Sequence, residues 1–299
     1  MTRILVTGVN GQVGFELLRA CQPLGEVIGL DRRALDLTDP QAIRRVLREA
    51  KPDVILNPAA YTAVDQAEQD ERTATAINGD AVAIMAEEAA RLKALFVHYS
   101  TDYVFDGTKD GAYTETDTPN PQSAYGRSKL AGEQALQASQ ADWLCLRTSW
   151  VFASRGKNFL RTILRLAAER EELRIVADQV GAPTSARLIA EATAQVLPRA
   201  RDERRNTNFA SQILHLSAAG KTTWHGFANR IVESARQRND LPALRVRSIA
   251  AIRTEDYPLP APRPRNSQLA GARLRDRYAL ELPEWSRGVE LCIAEIGAP

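Results

Sequence analysis

The chain is poor in the residues that define several large functional classes. Its three cysteines, Cys21, Cys145 and Cys292, stand far apart with no C-x-x-C among them, which excludes a disulfide-stapled scaffold and a zinc ribbon. A reducing cytoplasm is the compartment such a chain suits. The three histidines, His98, His215 and His225, form no H-x-x-x-H pair, and each reads as a strand or surface residue rather than as a metal ligand or a base. Neither a G-x-S-x-G elbow nor a Ser-His-Asp order is visible, so hydrolysis is not the expected chemistry. No run reaches the roughly 18 uninterrupted apolar residues of a spanning helix. The first residues, Met1-Thr2-Arg3-Ile4-Leu5-Val6-Thr7-Gly8, have no long apolar core ahead of a cleavage site, which argues against a secretory signal. Charge of one sign is missing too. Thirty-nine Lys plus Arg against 37 Asp plus Glu leave +2, so no footprint of nucleic acid or of an anionic membrane is present. The one charge-dense stretch, 199–205, reads as a solvated loop, with nucleic-acid contact as the alternative. Repeats of solenoid period and low-complexity tracts are absent.

What is present is an ordinary globular composition, 44% apolar and 25% charged over 299 residues, enough for one large or two modest domains. Short β-branched runs alternate with helical spacing. Strands are expected at Arg3–Thr7, Glu26–Leu30, 53–57, 95–100 and 143–148, with helices at 15–21, 41–50, 81–93 and 128–139 between them. Such βαβ alternation implies a parallel sheet with helices on both faces, because each parallel crossover needs a helix to return the chain. After residue 150 the regularity weakens. Helices are expected at 158–171 and 186–197, and the alternating prolines of 259–265 leave only an extended loop carrying Arg263 and Arg265. The expected division is 1–150 for a dinucleotide-binding domain, with some later segments returning to it, and 151–299 mainly for a substrate domain.

Gly8-Val9-Asn10-Gly11-Gln12-Val13-Gly14 lies between the first strand and the first helix, where a dinucleotide pyrophosphate meets free helix N–H groups and the positive end of the dipole. The spacing is G-x-x-G-x-x-G rather than the commoner G-x-G-x-x-G. Asp31, closing the second strand, suits an adenosine ribose and hence NAD, whereas Arg32 and Arg33 suit the 2′-phosphate of NADP. Asp36 and Leu37 are candidates to lie beside adenine, while Asp39 is also placed to be only a helix N-cap. Tyr125-Gly126-Arg127-Ser128-Lys129 puts a phenol and an ammonium on one helical face. A phenol of ordinary pKa ~10 exchanges protons poorly near neutrality, and a nearby ammonium favours its phenolate. Thr101, at the carboxyl edge of the fourth strand, either ends that strand as a β-former or offers a hydroxyl to a carbonyl. Asp102 is either a turn cap or a ligand group.

With these residues in place the chain resembles the extended short-chain dehydrogenase/reductases. Asn57-Pro58-Ala59-Ala60-Tyr61-Thr62-Ala63-Val64-Asp65-Gln66-Ala67-Glu68, Ser100-Thr101-Asp102-Tyr103-Val104-Phe105-Asp106-Gly107, Arg147-Thr148-Ser149-Trp150-Val151, Asp178-Gln179-Val180-Gly181-Ala182-Pro183-Thr184 and Arg263-Pro264-Arg265-Asn266-Ser267 narrow the resemblance to the dTDP-4-dehydrorhamnose reductase family. The resemblance implies an α/β fold, a Rossmann-type doubly wound parallel sheet with a smaller, partly interleaved C-terminal α/β substrate domain. It implies reduction of the C4 ketone of dTDP-4-dehydro-β-L-rhamnose with NADPH or NADH, the last step of dTDP-rhamnose synthesis. In that reading Tyr125 gives the proton, Lys129 tunes it and Thr101 polarises the carbonyl. Gly8, Gly11, Gln12, Val13, Gly14, Asp31, Arg32, Asp36, Leu37, Ala59, Ala60 and Thr62, with Tyr125 and Lys129, hold the dinucleotide. Val64, Thr101, Asp102, Tyr103 and Trp150 line the dTDP-sugar pocket, and Arg263 supplies a cation to the sugar nucleotide diphosphate.

Two contrasts belong to the same resemblance. Related 4,6-dehydratases carry an acid after Thr-Asp, and here Tyr103 stands there, which disfavours dehydration. Some relatives join two subunits through Mg2+ held by glutamates; Glu16 and Glu295 match two such positions, but Arg187 stands at the third and would repel the ion. A homodimer is compatible with the resemblance, a metal-bridged one much less so. The rival readings are a reductase of another dTDP-4-keto-6-deoxy sugar and a non-catalytic NAD(P)-binding regulatory subunit, as in a relative that regulates methionine adenosyltransferase. A module that only binds has no physical need for the Tyr125/Lys129 pair.

Overall fold

The computed structural model describes residues 1–297. Six strands form one sheet, in the spatial order Gln212–His215, Asp142–Thr148, Leu95–Thr101, Val54–Asn57, Arg3–Thr7, Glu26–Leu30. Every neighbouring pair is parallel. The strands of the sheet interior are covered on both faces: Val54–Asn57 and Leu95–Thr101 are buried throughout, apolar at their amino ends and with buried polar Asn57, His98, Ser100 and Thr101 toward the carboxyl side. The edge strand Glu26–Leu30 is only partly buried. On one face, Leu17 of the helix Gln12–Ala20 and Ile189, Val196 and Leu197 of the helix Ala186–Arg205 pack on Ile4, Val6 and Leu144. The opposite face carries the helices Pro40–Ala50, Ala81–Leu92 and Ala124–Ala138, through Ile43, Leu47, Met85 and Leu136 against Leu5, Ile55 and Phe96. The expected Rossmann-type parallel α/β sheet is therefore the observed one.

The first strand pairs with the second on one side and the third on the other, so the chain direction across the sheet reverses there. Ligands of open α/β sheets bind outside the carboxyl ends of the strands at such a point. The first turn is built for close approach. Gly8 adopts φ +59, and a Cβ on Gly14 would stand 2.3 Å from the carbonyl oxygen of Gly8, so only glycine lets the helix begin this near the strand.

A further cluster is made wholly of residues beyond 150. The helices Phe159–Glu169, Trp224–Arg236 and Trp285–Glu295 enclose Leu160, Phe227, Ile231 and Val289 against a parallel strand pair, Glu172–Val176 with Ser248–Ile252. The later half does not stay apart, because Ala186–Arg205 and Gln212–His215 rejoin the large sheet.

Three local expectations differ from the structure. The stretch 199–205 is the end of a 20-residue helix, since Ala200 is buried beside Leu197 and Arg204 reaches Asp142 at 2.7 Å. The helix carrying the Tyr-x-x-x-Lys pair starts at Ala124, because the hydroxyl of Ser123 accepts the N–H of Gly126 at 3.1 Å and caps it. Short helical segments at Val64–Ala67, Glu71–Thr75 and Ala76–Asp80 have no apolar periodicity to announce them. They matter because buried Asn78 bonds both the N–H and the carbonyl of Tyr61 (2.8 and 3.0 Å) and the hydroxyl of Ser128 (2.9 Å), locking the 58–62 turn to the helix of Tyr125.

Candidate active site

A cleft of about 840 Å³ opens at the carboxyl ends of the strands, at the reversal point. Gly8, Gly11, Gln12, Val13 and Gly14 form its floor at the first helix. Arg32, Asp36 and Leu37 line one end, and Ala59, Ala60 and Thr62 the wall from the third strand. Val64, Thr101, Asp102, Tyr103, Tyr125, Lys129 and Trp150 line the rest. These residues come from six separate stretches of sequence and are brought together only by the parallel sheet.

Two expected contacts are not placed there. Asp31 does not line the cleft; its carboxylate accepts the N–H groups of Arg33 and Ala34, both at 3.0 Å, and the amide of Asn10 at 3.2 Å. The bond from Ala34 foremost holds its pKa below the usual carboxylate value, so the group serves the turn. Arg263 is likewise committed elsewhere, to Asp65 at 2.8 Å and to the carbonyl of Ala261 at 3.0 Å. Asp39 caps its helix through Gln41 and Ala42.

The polar groups at the centre have shifted proton affinities. Desolvation pushes the Tyr125 phenol up to about 12, with Asp102 adding to the rise and a hydrogen bond with Thr101 opposing it. The sequence expectation of a phenol lowered by its lysine is not what the structure shows. Lys129, 2% exposed, donates to the carbonyl of Tyr99 at 2.6 Å and lies 3.1 Å from Nε2 of His98. Burial brings its pKa down to about 8, against the opposing pull of Cys145 and Glu133. Burial also raises Asp102 to about 6, opposed by hydrogen bonds from Ser267 and Thr101. The Thr101 hydroxyl donates to Asp102 at 3.0 Å and accepts the N–H of Tyr103 at 3.2 Å. Tyr103 meets Tyr125 edge to face, with ring centroids 5.5 Å apart.

The other wall comes from the later half, and sequence reading missed most of it. Trp150, held at φ +48, stacks on Trp224 with centroids 3.7 Å apart. Gly181 fits beneath Trp150, where a Cβ would stand 2.7 Å from the indole. Arg155, Lys157 and Phe159 also face the cleft, and Asn158 donates to the amide oxygen of Gln12 at 2.8 Å, tying this loop to the glycine turn. The one readable signal was Gly156 between two cations ahead of a helix cap.

The chain matches the family model described as "RmlD substrate binding domain" over residues 1–297. A dTDP-4-dehydrorhamnose reductase of Burkholderia thailandensis is 53% identical over 294 residues, 98% of this chain and 99% of that protein. The chain belongs to the dTDP-4-dehydrorhamnose reductase family. The Escherichia coli K12 protein of that name is 43% identical over 297 residues, 98% of this chain and 97% of that one. Among solved structures, the Bacillus anthracis dTDP-4-dehydrorhamnose reductase in complex with NADP superposes with a TM-score of 0.86 at 33% identity, covering 99% of this chain and 100% of that one.

Within this dTDP-4-dehydrorhamnose reductase family member, Glu16 and Glu295 lie away from the cleft and share the guanidinium of Arg187, which bonds Glu295 and stands 3.4 Å from Glu16. Arg187 stands between the two carboxylates and Arg19 pairs with Glu16 at 3.5 Å, so cations of the chain itself hold the place where Mg2+ would lie and these residues do not fit the ion. Among the described residues no group of three or more His, Cys, Asp or Glu is arranged to hold a metal.

Proposed function

We propose that the protein reduces the C4 ketone of dTDP-4-dehydro-β-L-rhamnose with NADPH, giving dTDP-β-L-rhamnose. The observation that carries the reading is the convergence of Tyr125 and Thr101 in a cleft floored by the glycine turn, in a chain 53% identical to a reductase of that name. NADPH, when bound, supplies the hydride. The protein's part is protonic and electrostatic. With its pKa pushed up to about 12, Tyr125 keeps its proton at neutral pH and delivers it to the C4 oxygen as charge develops there. The Thr101 hydroxyl polarises the same oxygen, and Lys129, at about 8, is acidic enough to return a proton to the phenolate. Trp150 and Val64 offer apolar surface to the sugar nucleotide, and the stacked Trp224 stiffens that wall. Asp102 and Tyr103 complete the sugar end.

The cofactor end favours the phosphorylated dinucleotide. Asp31 is occupied by the turn, whereas Arg32, 81% exposed and only loosely paired with Asp36 at 3.9 Å, lines the cleft where a guanidinium suits a 2′-phosphate. Arg32→Ala is expected to weaken NADPH about tenfold in Kd and leave NADH nearly unchanged, the cost of one charge-assisted contact; fluorescence titration of both cofactors measures it. A cytoplasmic location accompanies this reading, in line with three buried free cysteines. Any homodimer forms without a glutamate-bound metal at Arg187. The whole assignment is tested by mixing protein, NADPH and dTDP-4-dehydrorhamnose and following nicotinamide absorbance and the sugar product. Formation of dTDP-L-rhamnose supports it; oxidation with a different dTDP-4-keto sugar only would move the assignment to that sugar.

A further inference from the structure

Thr7 and Asn57 end two adjacent strands of the sheet and His98 lies midway along the next, Leu95–Thr101, with Asn57 opposite His98 in the register and Cys145 next in the row. All four are buried. Their polar atoms form one chain. The N–H of Ala59 donates to Oγ1 of Thr7 at 3.3 Å, Thr7 donates to Oδ1 of Asn57 at 2.6 Å, and Nδ2 of Asn57 lies 3.2 Å from Nδ1 of His98. On the far side of the ring, Nε2 lies 3.1 Å from Nζ of Lys129.

Burial, with the Lys129 charge beside it, holds the His98 pKa well below the usual imidazole value, so the ring carries a single hydrogen shared between two nitrogens with a polar neighbour each. When Asn57 donates to Nδ1, that hydrogen sits on Nε2 and points at the lysine nitrogen, which must accept it. When Lys129 is an ammonium it must donate to Nε2, and the hydrogen moves to Nδ1, facing Asn57 with its amide turned. In that polarity Nδ2 of Asn57 donates to Thr7, whose own hydroxyl hydrogen turns away from Asn57, and the link from His98 to Lys129 is satisfied for either charge of the lysine.

We infer that His98 is a positioning residue for Lys129, holding Nζ from behind in both charge states by accepting from the ammonium as the Nδ1–H tautomer and donating to the amine as the Nε2–H tautomer. Tyr99 and His98 take two of its positions and one remains, on a lysine that lines the cleft and that the reductase reading has serve Tyr125 and the cofactor ribose. The lysine then exchanges its proton without swinging away. That kinetic consequence rests on the reductase reading; the buried chain itself does not.

The titratable groups around Nζ are His98 from the fourth strand, Cys145 from the fifth and Glu133 from its own helix, while the Tyr99 phenol points to Thr193 on the other face of the sheet. Burial keeps Cys145 and Tyr99 protonated, and Glu133 and Arg147 are bonded to each other. Asp102, pushed up to about 6, ionises earlier. Lys129 is the member that changes charge near pH 8.

Nitrogen-15 NMR of histidine-labelled, cofactor-free protein resolves the tautomers of three rings, and His98→Gln assigns the His98 signals. From about pH 6 to about pH 10 the ring is expected to stay neutral and to change from Nδ1–H to Nε2–H, with the midpoint of the Lys129 side-chain carbon signal. One tautomer throughout, or an imidazolium, overturns the inference. In the reductase assay, His98→Phe is expected to lower kcat about tenfold or more, with KM for the sugar nucleotide within about twofold and the alkaline limb of the profile displaced. His98→Gln, whose amide donates or accepts by turning, is expected to hold kcat within about threefold. Equal losses in the two variants with an unmoved limb assign a packing role and overturn it. A tautomer switch in a protein that turns over no dTDP-4-dehydrorhamnose supports the chain and faults the reductase reading.

Discussion

Tyr125→Phe is expected to lower kcat by about 10³-fold, within the range that a positioned proton donor contributes, while NADPH still binds with nearly the parent Kd. The argument is one of proton bookkeeping at a single atom. The developing C4 alkoxide needs a proton inside a cleft where Tyr125 is the phenol hydrogen-bonded with Thr101, and removing that hydroxyl leaves Thr101 to stabilise the oxygen without neutralising it. The ring itself, edge-on to Tyr103, is kept by Phe, so binding and fold are spared. Cofactor fluorescence and single-turnover rates separate the two effects. A variant that retains more than about a tenth of the parent rate would show that another group, Asp102 being the nearest raised acid, supplies the proton.

What could be read from the sequence is what neighbouring residues settle among themselves. The glycine turn follows from a strand, a helix and three glycines within a dozen positions, and the Tyr125/Lys129 pairing follows from helical periodicity. Most of what was not legible has one physical character, a partner far away in sequence. Arg263 looked free in its proline-rich loop, but Asp65, on the short helix after the third strand, reaches it. The carbonyl and the imidazole on the neighbouring strand that hold the Lys129 nitrogen could not be read from its own helix. Asp31 erred locally: a carboxylate ending a strand captures the next free N–H groups before any ribose arrives. Trp224 was invisible because nothing near it in sequence says that its indole will lie flat on Trp150. The Glu16, Glu295 and Arg187 cluster was legible, since a cation at an expected ligand position opposes a metal wherever the chain brings it.

Glu133→Leu is expected to destabilise the protein by about 3–5 kcal/mol, the usual cost of stranding one half of a buried ion pair. Glu133 and Arg147 are each 1% exposed, joined by two hydrogen bonds of 2.8 and 2.6 Å, and Glu133 also accepts the Ser100 hydroxyl at 2.5 Å. With the carboxylate gone, the guanidinium loses its hydrogen-bonded partner and keeps the face of Phe105, 4.9 Å away, and the weaker pull of the Glu115 carboxylate, and one of its nitrogens already lacks a partner. Adding Arg147→Met removes the stranded charge, so the double variant should regain most of the loss in a urea titration; if it is no more stable than Glu133→Leu, the cost lies in packing instead. Activity should follow a different course. Ser100 immediately precedes Thr101, so both variants release the strand end that aims the Thr101 hydroxyl, and the double variant is expected to recover stability while kcat stays depressed. That split would locate the role of the buried pair in holding the carboxyl edge of the fourth strand, where the fold delivers Thr101 to the cleft.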